Sequence, residues 1–205
     1  PHYLAWLPYL GKIVHSDCFV LLDDVEFTRN GYQNRNRIKT AQGPLVLTAP
    51  VKQKLAQKIL EVEVPDNGWR KKHWASIQQA YRKAPYFERY QAELQAFFAE
   101  PWPNLADPVC AMVEWLVKAL DCKVRVVRSS TLGIATSSTQ RLVDIVRSLG
   151  GTSYLSGSHA LQAYLDAEVF RAEALTLELF DFHCPPYAQL HGVFVGNLAA
   201  LDALL

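Results

Sequence analysis

Hydrophobic and polar positions alternate along this chain in two rhythms, and the switches between them mark its elements. Residues 3–16 read as a loop entering a short helix, with Leu7, Leu10, Ile13 and Val14 forming one apolar stripe at helical spacing. The apolar run Cys18-Phe19-Val20-Leu21-Leu22 has strand length and ends on Asp23-Asp24, the pattern of a strand buried on both faces. Residues 35–40 and 45–49 look like two strands joined by Ala41-Gln42-Gly43-Pro44, which predicts a β-hairpin. From Trp69 to Glu100 the period turns helical and polar, and Pro85 divides it into helices over 69–84 and 86–99. A strongly amphipathic helix over 109–119 follows, then a strand at 124–127. The last part alternates helix 139–149, strand 154–155, helix 159–165 and strand 175–180. Strands alternating with helices predict an α/β fold. The expected form is a mainly parallel sheet with flanking helices, a basic β-hairpin, and a helical insertion over approximately residues 69–120.

Composition bounds this picture without changing it. At 205 residues the chain fits one domain spanning 1–205. It is 50% hydrophobic and 20% charged, ordinary for a soluble protein with a sizeable core. No run reaches the roughly 20 apolar residues that cross a bilayer, so no membrane span is expected. The first residues lack a basic segment and a small-residue cleavage site, so no signal peptide is read there. Cys18, Cys110, Cys122 and Cys184 lie far apart and form no C-x-x-C pair. They read as reduced structural thiols, which suits a cytoplasmic location. The sequence opens at Pro1 rather than Met, which reads as a trimmed or fragmentary chain.

Charge changes the picture more. The formal net charge is +1, yet residues 27–60 hold Arg29, Arg35, Arg37, Lys39, Lys52, Lys54 and Lys58 without one acid. A focused positive region on a near-neutral body suits an anionic ligand; a solvated hairpin face is the plainer alternative. Strand geometry puts Arg35, Arg37 and Lys39 on one face, and Asn34, Asn36 and Ile38 on the other. Alternate side chains recur every ~6.8 Å along a strand, so such a row suits a polyphosphate or nucleic-acid backbone. The arginine fork adds bidentate phosphate contact. The asparagines, if inward, need partners, either a ligand or the protein's own backbone.

In a parallel sheet, ligands gather at the carboxyl ends of the strands. Three such ends stand out. Asp23-Asp24 offers carboxylates for a ligand hydroxyl or amine, for a metal, or for the nearby arginines. Arg128-Ser129-Ser130-Thr131 is a hydroxyl-rich loop with one cation, a composition that also suits a plain turn. Tyr154-Leu155-Ser156-Gly157-Ser158-His159 runs from strand into helix through a turn able to cradle a phosphate or carboxylate. There His159 would be held neutral by the helix dipole, as a possible base. Trp69-Arg70-Lys71-Lys72-His73-Trp74 suits base stacking or an ordinary packed helix with a solvated basic face. Tyr187 and Gln189 would serve as pocket walls in a loop stiffened by Pro185-Pro186. No nucleophilic triad, metal motif, phosphate loop or dinucleotide fingerprint is present, and no cofactor is indicated.

Several of these segments together resemble the WbqC-like family. They are Pro1-His2-Tyr3-Leu4-Ala5-Trp6-Leu7-Pro8-Tyr9, Ser16-Asp17-Cys18-Phe19-Val20 with Leu22-Asp23-Asp24-Val25, and Gln33-Asn34-Arg35-Asn36-Arg37-Ile38-Lys39-Thr40. Pro50-Val51-Lys52, Tyr154-Leu155-Ser156-Gly157, Pro186-Tyr187-Ala188-Gln189 and Asn197-Leu198 complete the match. The resemblance implies a bacterial protein of O-antigen or other surface-polysaccharide gene clusters. It implies a transferase that moves glycine or another aminoacyl group from a phosphate-containing donor, a small molecule or charged tRNA, to an amino-sugar acceptor. The alternative is a non-catalytic protein that binds nucleotide-sugar or nucleic acid. Under the transferase reading Asp23 and His159 are the catalytic candidates. His2, Tyr3, Trp6, Asn34, Arg35, Asn36, Arg37, Lys52, Ser156, Gly157, Tyr187 and Gln189 are the candidates for substrate binding. Two departures are visible: the apolar strand that precedes the match to Pro1 in the family is expected to be missing, and Ala5 stands where proline is common.

Overall fold

Pro8 sits in the first helical turn of α1 (Leu7–Val14), where the missing N–H costs nothing; Leu10 and Ile13 of the predicted stripe turn inward with Tyr9, while Val14 at the helix end is exposed. These residues belong to a computed structural model that describes residues 1–163 and 165–205. β1 (Cys18–Leu21) follows and pairs in parallel with the distant β4 (Arg125–Arg128), setting Leu21 beside Arg128. Between them lie the hairpin β2 (Arg35–Thr40) and β3 (Gly43–Thr48), then α2 (Trp69–Tyr81), α3 (Phe87–Ala99) and α4 (Ala106–Ala119). After β4 come α5 (Ser138–Ser148), β5 (Ser153–Gly157), α6 (Ser158–Ala163), α7 (Ala167–Ala172), β6 (Thr176–Phe180) and α8 (Leu201–Leu204). β5 and β6 are also parallel.

The chain is therefore α/β, but among the described residues its parallel strands form two separate pairs rather than one sheet. Helix α1 touches both. The Tyr9 ring meets Phe19 of β1 edge-on at 5.1 Å between centroids. Gly11 admits Phe180 of β6 so closely that a Cβ there would lie 2.9 Å from the ring.

Several boundaries differ from the sequence expectation. β3 begins at Gly43, not at residue 45, because Pro44 lies on an edge strand that needs no ladder donor from it. α4 starts three residues early: Pro108 falls in its first turn, and Asn104 Oδ1 accepts the Asp107 N–H at 3.0 Å. Ser156 and Gly157 are strand rather than turn, paired with Leu179 and Phe180. The segment after residue 165, read without an element, forms α7, capped by the Asp166 carboxylate on the Glu168 N–H. The far end of the predicted helix 159–165 includes Tyr164, outside the described residues.

One core joins the opening loop, hairpin and α1–α4, with Tyr3, Ile38, Ile77, Leu94, Val109 and Leu116 all buried. A smaller cluster of Leu142, Val143, Ala160, Leu165 and Phe170 lies beneath β5 and β6 and receives Leu22 and Tyr154. Trp69 meets Tyr3, and Trp74 stacks on Phe87 and Phe98, so the tryptophans flanking the basic start of α2 are packing residues. Among the described residues no helix is long and apolar enough to cross a membrane.

His73 lies in this core, its Nδ1 2.7 Å from the Tyr3 hydroxyl. Burial pushes its pKa from 6.5 down to about 4, against the smaller opposite effect of a hydrogen bond to the Thr48 backbone. The unfolded chain therefore binds a proton here that the native state refuses. Stability is complete above pH 6.5 and falls as pH drops, flattening below about 4. The loss amounts to about 3 kcal/mol. Urea titrations between pH 7 and pH 4 should show a fall at least this large, and His73→Gln should remove the His73 share and leave that of the buried His2.

Candidate functional site

Asn34, just before β2, and Asn36 within it point inward and bind the protein's own backbone. Asn34 Nδ2 donates to the Ala49 carbonyl at 2.9 Å, while the Ala49 N–H returns to the Asn34 carbonyl. Asn36 Nδ2 donates to the Leu4 carbonyl at 2.8 Å, and its Oδ1 accepts the Arg37 N–H. The amide row thus ties the opening loop to the hairpin. The Asn36 amide also lies 3.4 Å from the Tyr3 carbonyl, which brings these two candidates together, although Tyr3 itself is fully buried.

On the other face the cationic row divides. Lys39 is only 2% exposed, so the expected row of three solvent-facing cations is corrected to two. The segment around residues 189–192 covers Lys39: its ammonium donates to Gln189 Oε1 at 3.0 Å and to the Gly192 carbonyl at 3.3 Å. Gln189 Nε2 in turn donates to Asp202, whose carboxylate also accepts from Tyr81 and Tyr187, each at 2.8 Å. Tyr187 and Gln189 therefore meet on Asp202 within the protein. Burial raises the pKa of both tyrosines, reinforced by the adjacent carboxylate, so both remain neutral donors.

Arg35 and Arg37 stay half-buried and open. Arg35 donates through Nη2 to the Asn30 carbonyl, and Arg37 Nη2 lies 3.5 Å from the Asn197 carbonyl. Both asparagines adopt left-handed backbone, with φ of 62° and 57°, a conformation this residue type tolerates. Arg29 likewise bonds a neutral oxygen, Gln53 Oε1, at 2.5 Å. Among the described residues these three guanidiniums have no carboxylate partner. Neutral acceptors fix their direction and leave their charge uncompensated, the condition an anion site requires. Lys52 differs: it faces Glu63 at 3.6 Å, and both side chains are well exposed.

Beside the arginines, Trp6 and Tyr32 stack at 4.6 Å between centroids with planes 12° apart. His2 lies against Tyr9 and Tyr32, and burial lowers its pKa to about 3. Its Nδ1 is buried without a hydrogen-bond partner. The loop holding Asn30 and Tyr32 went unread as functional, although Asn30-Gly31 is a turn signal.

Two strand ends weighed separately in the sequence meet here, because β1 and β4 are parallel neighbours. Asp23, 3% exposed, accepts the Ser130 N–H at 2.9 Å and the Ser130 hydroxyl at 2.7 Å, and lies 3.2 Å from Ser129 Oγ. Asp24 accepts Ser129 Oγ and pairs with Arg141 at 2.6 Å. Both acids are thus held by serines and by an arginine outside the basic stretch. At the third end, Ser156 is buried, and a Cβ on Gly157 would meet nothing within 4 Å. His159 is exposed, and no hydrogen bond or ring contact joins it to Asp23 among the described residues. The described residues hold no cluster of three or more His, Cys, Asp or Glu side chains suited to a metal.

Comparison with known proteins fits the whole length of the chain. The sequence profile of the WbqC-like protein family matches residues 1–205. The uncharacterized protein Rv1507c of Mycobacterium tuberculosis is 30% identical over 207 residues, covering 99% of this chain and 89% of the relative. No solved structure gives a significant match.

Proposed function

Because the chain belongs to the WbqC-like protein family, we propose that it binds a phosphate-containing donor at Arg35 and Arg37 and transfers an aminoacyl group, such as glycine, to an amino sugar during surface-polysaccharide synthesis. The observation that carries the donor site is the pair of half-buried guanidiniums oriented by carbonyl oxygens and left, among the described residues, without a carboxylate. The Trp6–Tyr32 stack offers a flat apolar surface suited to a nucleobase. Aminoacyl transfer from an activated ester rests largely on positioning and on stabilising the developing oxyanion, so it does not demand a protein nucleophile.

A second reading, a non-catalytic module binding nucleotide-sugar or nucleic acid, is favoured by one observation. The carboxylate of Asp23 already accepts two hydrogen bonds from Ser130, one on each oxygen, which leaves little of it free to take a proton from an acceptor amine. Incubation with charged tRNA or nucleotide-sugars and an amino-sugar acceptor, read by mass spectrometry, separates the two. The transferase reading expects an acceptor heavier by the aminoacyl group. Donor binding with an unmodified acceptor leaves the binding module, and absence of donor binding removes both.

A further inference from the structure

At the far end of the hairpin from its arginines, the 41–45 turn, the second half of α2 and Leu190-His191 enclose a groove of about 640 Å³. Its helical wall is one face of α2 and the turn beyond it: Ser76, Gln79, Arg82 and Lys83 recur at helical spacing. Pro44, Leu45 and Ala80 supply an apolar floor, and Gln42 the opposite rim. Gln79 and Arg82 also line a second hollow of about 560 Å³ on the other side of α2, with Gln78 and Gln91. Neither hollow has an aspartate or glutamate in its lining. Arg82 and Lys83 are exposed and form no ion pair among the described residues. Cations closing a helix C-terminus complement its dipole, but that role does not require a concave, carboxylate-free wall of amides on both sides.

We propose that this double groove binds an acid-bearing oligosaccharide. Side-chain amides both donate and accept, which matches neighbouring sugar hydroxyls, and four of them surround two cations. Two adjacent cations with no third in the lining match one or two carboxylate or phosphate groups rather than a continuous phosphodiester chain. Of the two rings in the lining, Phe87 is 3% exposed and His191 is tied through Nε2 to the Ala80 carbonyl at 2.8 Å, so no large aromatic face is offered for base stacking, which disfavours RNA. Neither Arg35 nor Arg37 lines the groove, so the site stands on its own geometry and not on the transfer reaction.

The test titrates the full chain with a galacturonic acid hexamer, maltohexaose and an oligouridylate in calorimetry. The acidic hexamer should bind more tightly than its neutral counterpart. Arg82→Gln with Lys83→Gln, which keeps side-chain length on an exposed surface, should weaken it about tenfold or more. Gln79→Ala should weaken it severalfold, while Arg35→Ala with Arg37→Ala should leave it unchanged. Absence of hexamer binding, equal binding by the Arg82/Lys83 variant, or tighter oligouridylate binding through the same two cations overturns the proposal. Melting curves of each variant confirm that the fold is intact.

Discussion

Asp202→Ala should lower the unfolding free energy by about 3–5 kcal/mol, the range for breaking a buried charged network by removing one member. Asp202 is 7% exposed and its carboxylate accepts from Tyr81, Tyr187 and Gln189, so its loss strands the buried Tyr81 hydroxyl and takes an acceptor from the half-buried Tyr187 and Gln189. The damage extends to Lys39, a residue 2% exposed whose ammonium reaches the carboxylate through the Gln189 amide. Without Asp202 that buried charge loses the carboxylate two hydrogen bonds away. Lys39→Met removes charge and donor together while keeping the volume, so it should cost less than half as much. Urea unfolding at pH 7 measures both. An Asp202→Ala cost under about 1 kcal/mol, within the range of a single ordinary hydrogen bond, would show that the network does not hold the segment.

This network marks the limit of what the sequence made legible. The hairpin could be read because strand alternation is local: every second residue of 34–39 is an amide or a cation, and the structure keeps the two rows on opposite faces. The fate of Lys39 could not be read, because its partners lie 150 residues or more away in a loop of no regular period. The same distance hid Asp202, which sits in a four-residue helix too short to show a stripe. Tyr187 and Gln189 stood out as notable side chains in a loop, and only the fold shows that they close on a carboxylate. Ser156-Gly157 was misread for a local reason: small polar residues at a strand end look like a turn until a neighbouring strand pairs with them. Asp23 and Ser129 each marked a strand end, but only the parallel pairing of β1 with β4 made them neighbours.

The division of the cationic row also sets the expected behaviour of the donor site. Arg35→Ala with Arg37→Ala should reduce affinity for uridine diphosphate, a small diphosphate probe, by about 100-fold or more, since each charge-assisted contact contributes about 1.5–3 kcal/mol. Both arginines bond neutral oxygens at the surface, so the double variant should lose only about 1 kcal/mol or less of stability. That separation of affinity from stability distinguishes a ligand site from a structural pair. Replacing both by lysine keeps the charge but removes the planar fork, so an intermediate affinity is expected. Raising salt should weaken binding to the parent more steeply than to the double alanine variant, because screening acts on the charges that the variant lacks. Calorimetry at two ionic strengths reads all three comparisons. Diphosphate affinity that survives the double alanine change would move the anion site away from the hairpin. The uncompensated guanidiniums would then be solvated surface charge, the plainer alternative that an acid-free stretch always carries.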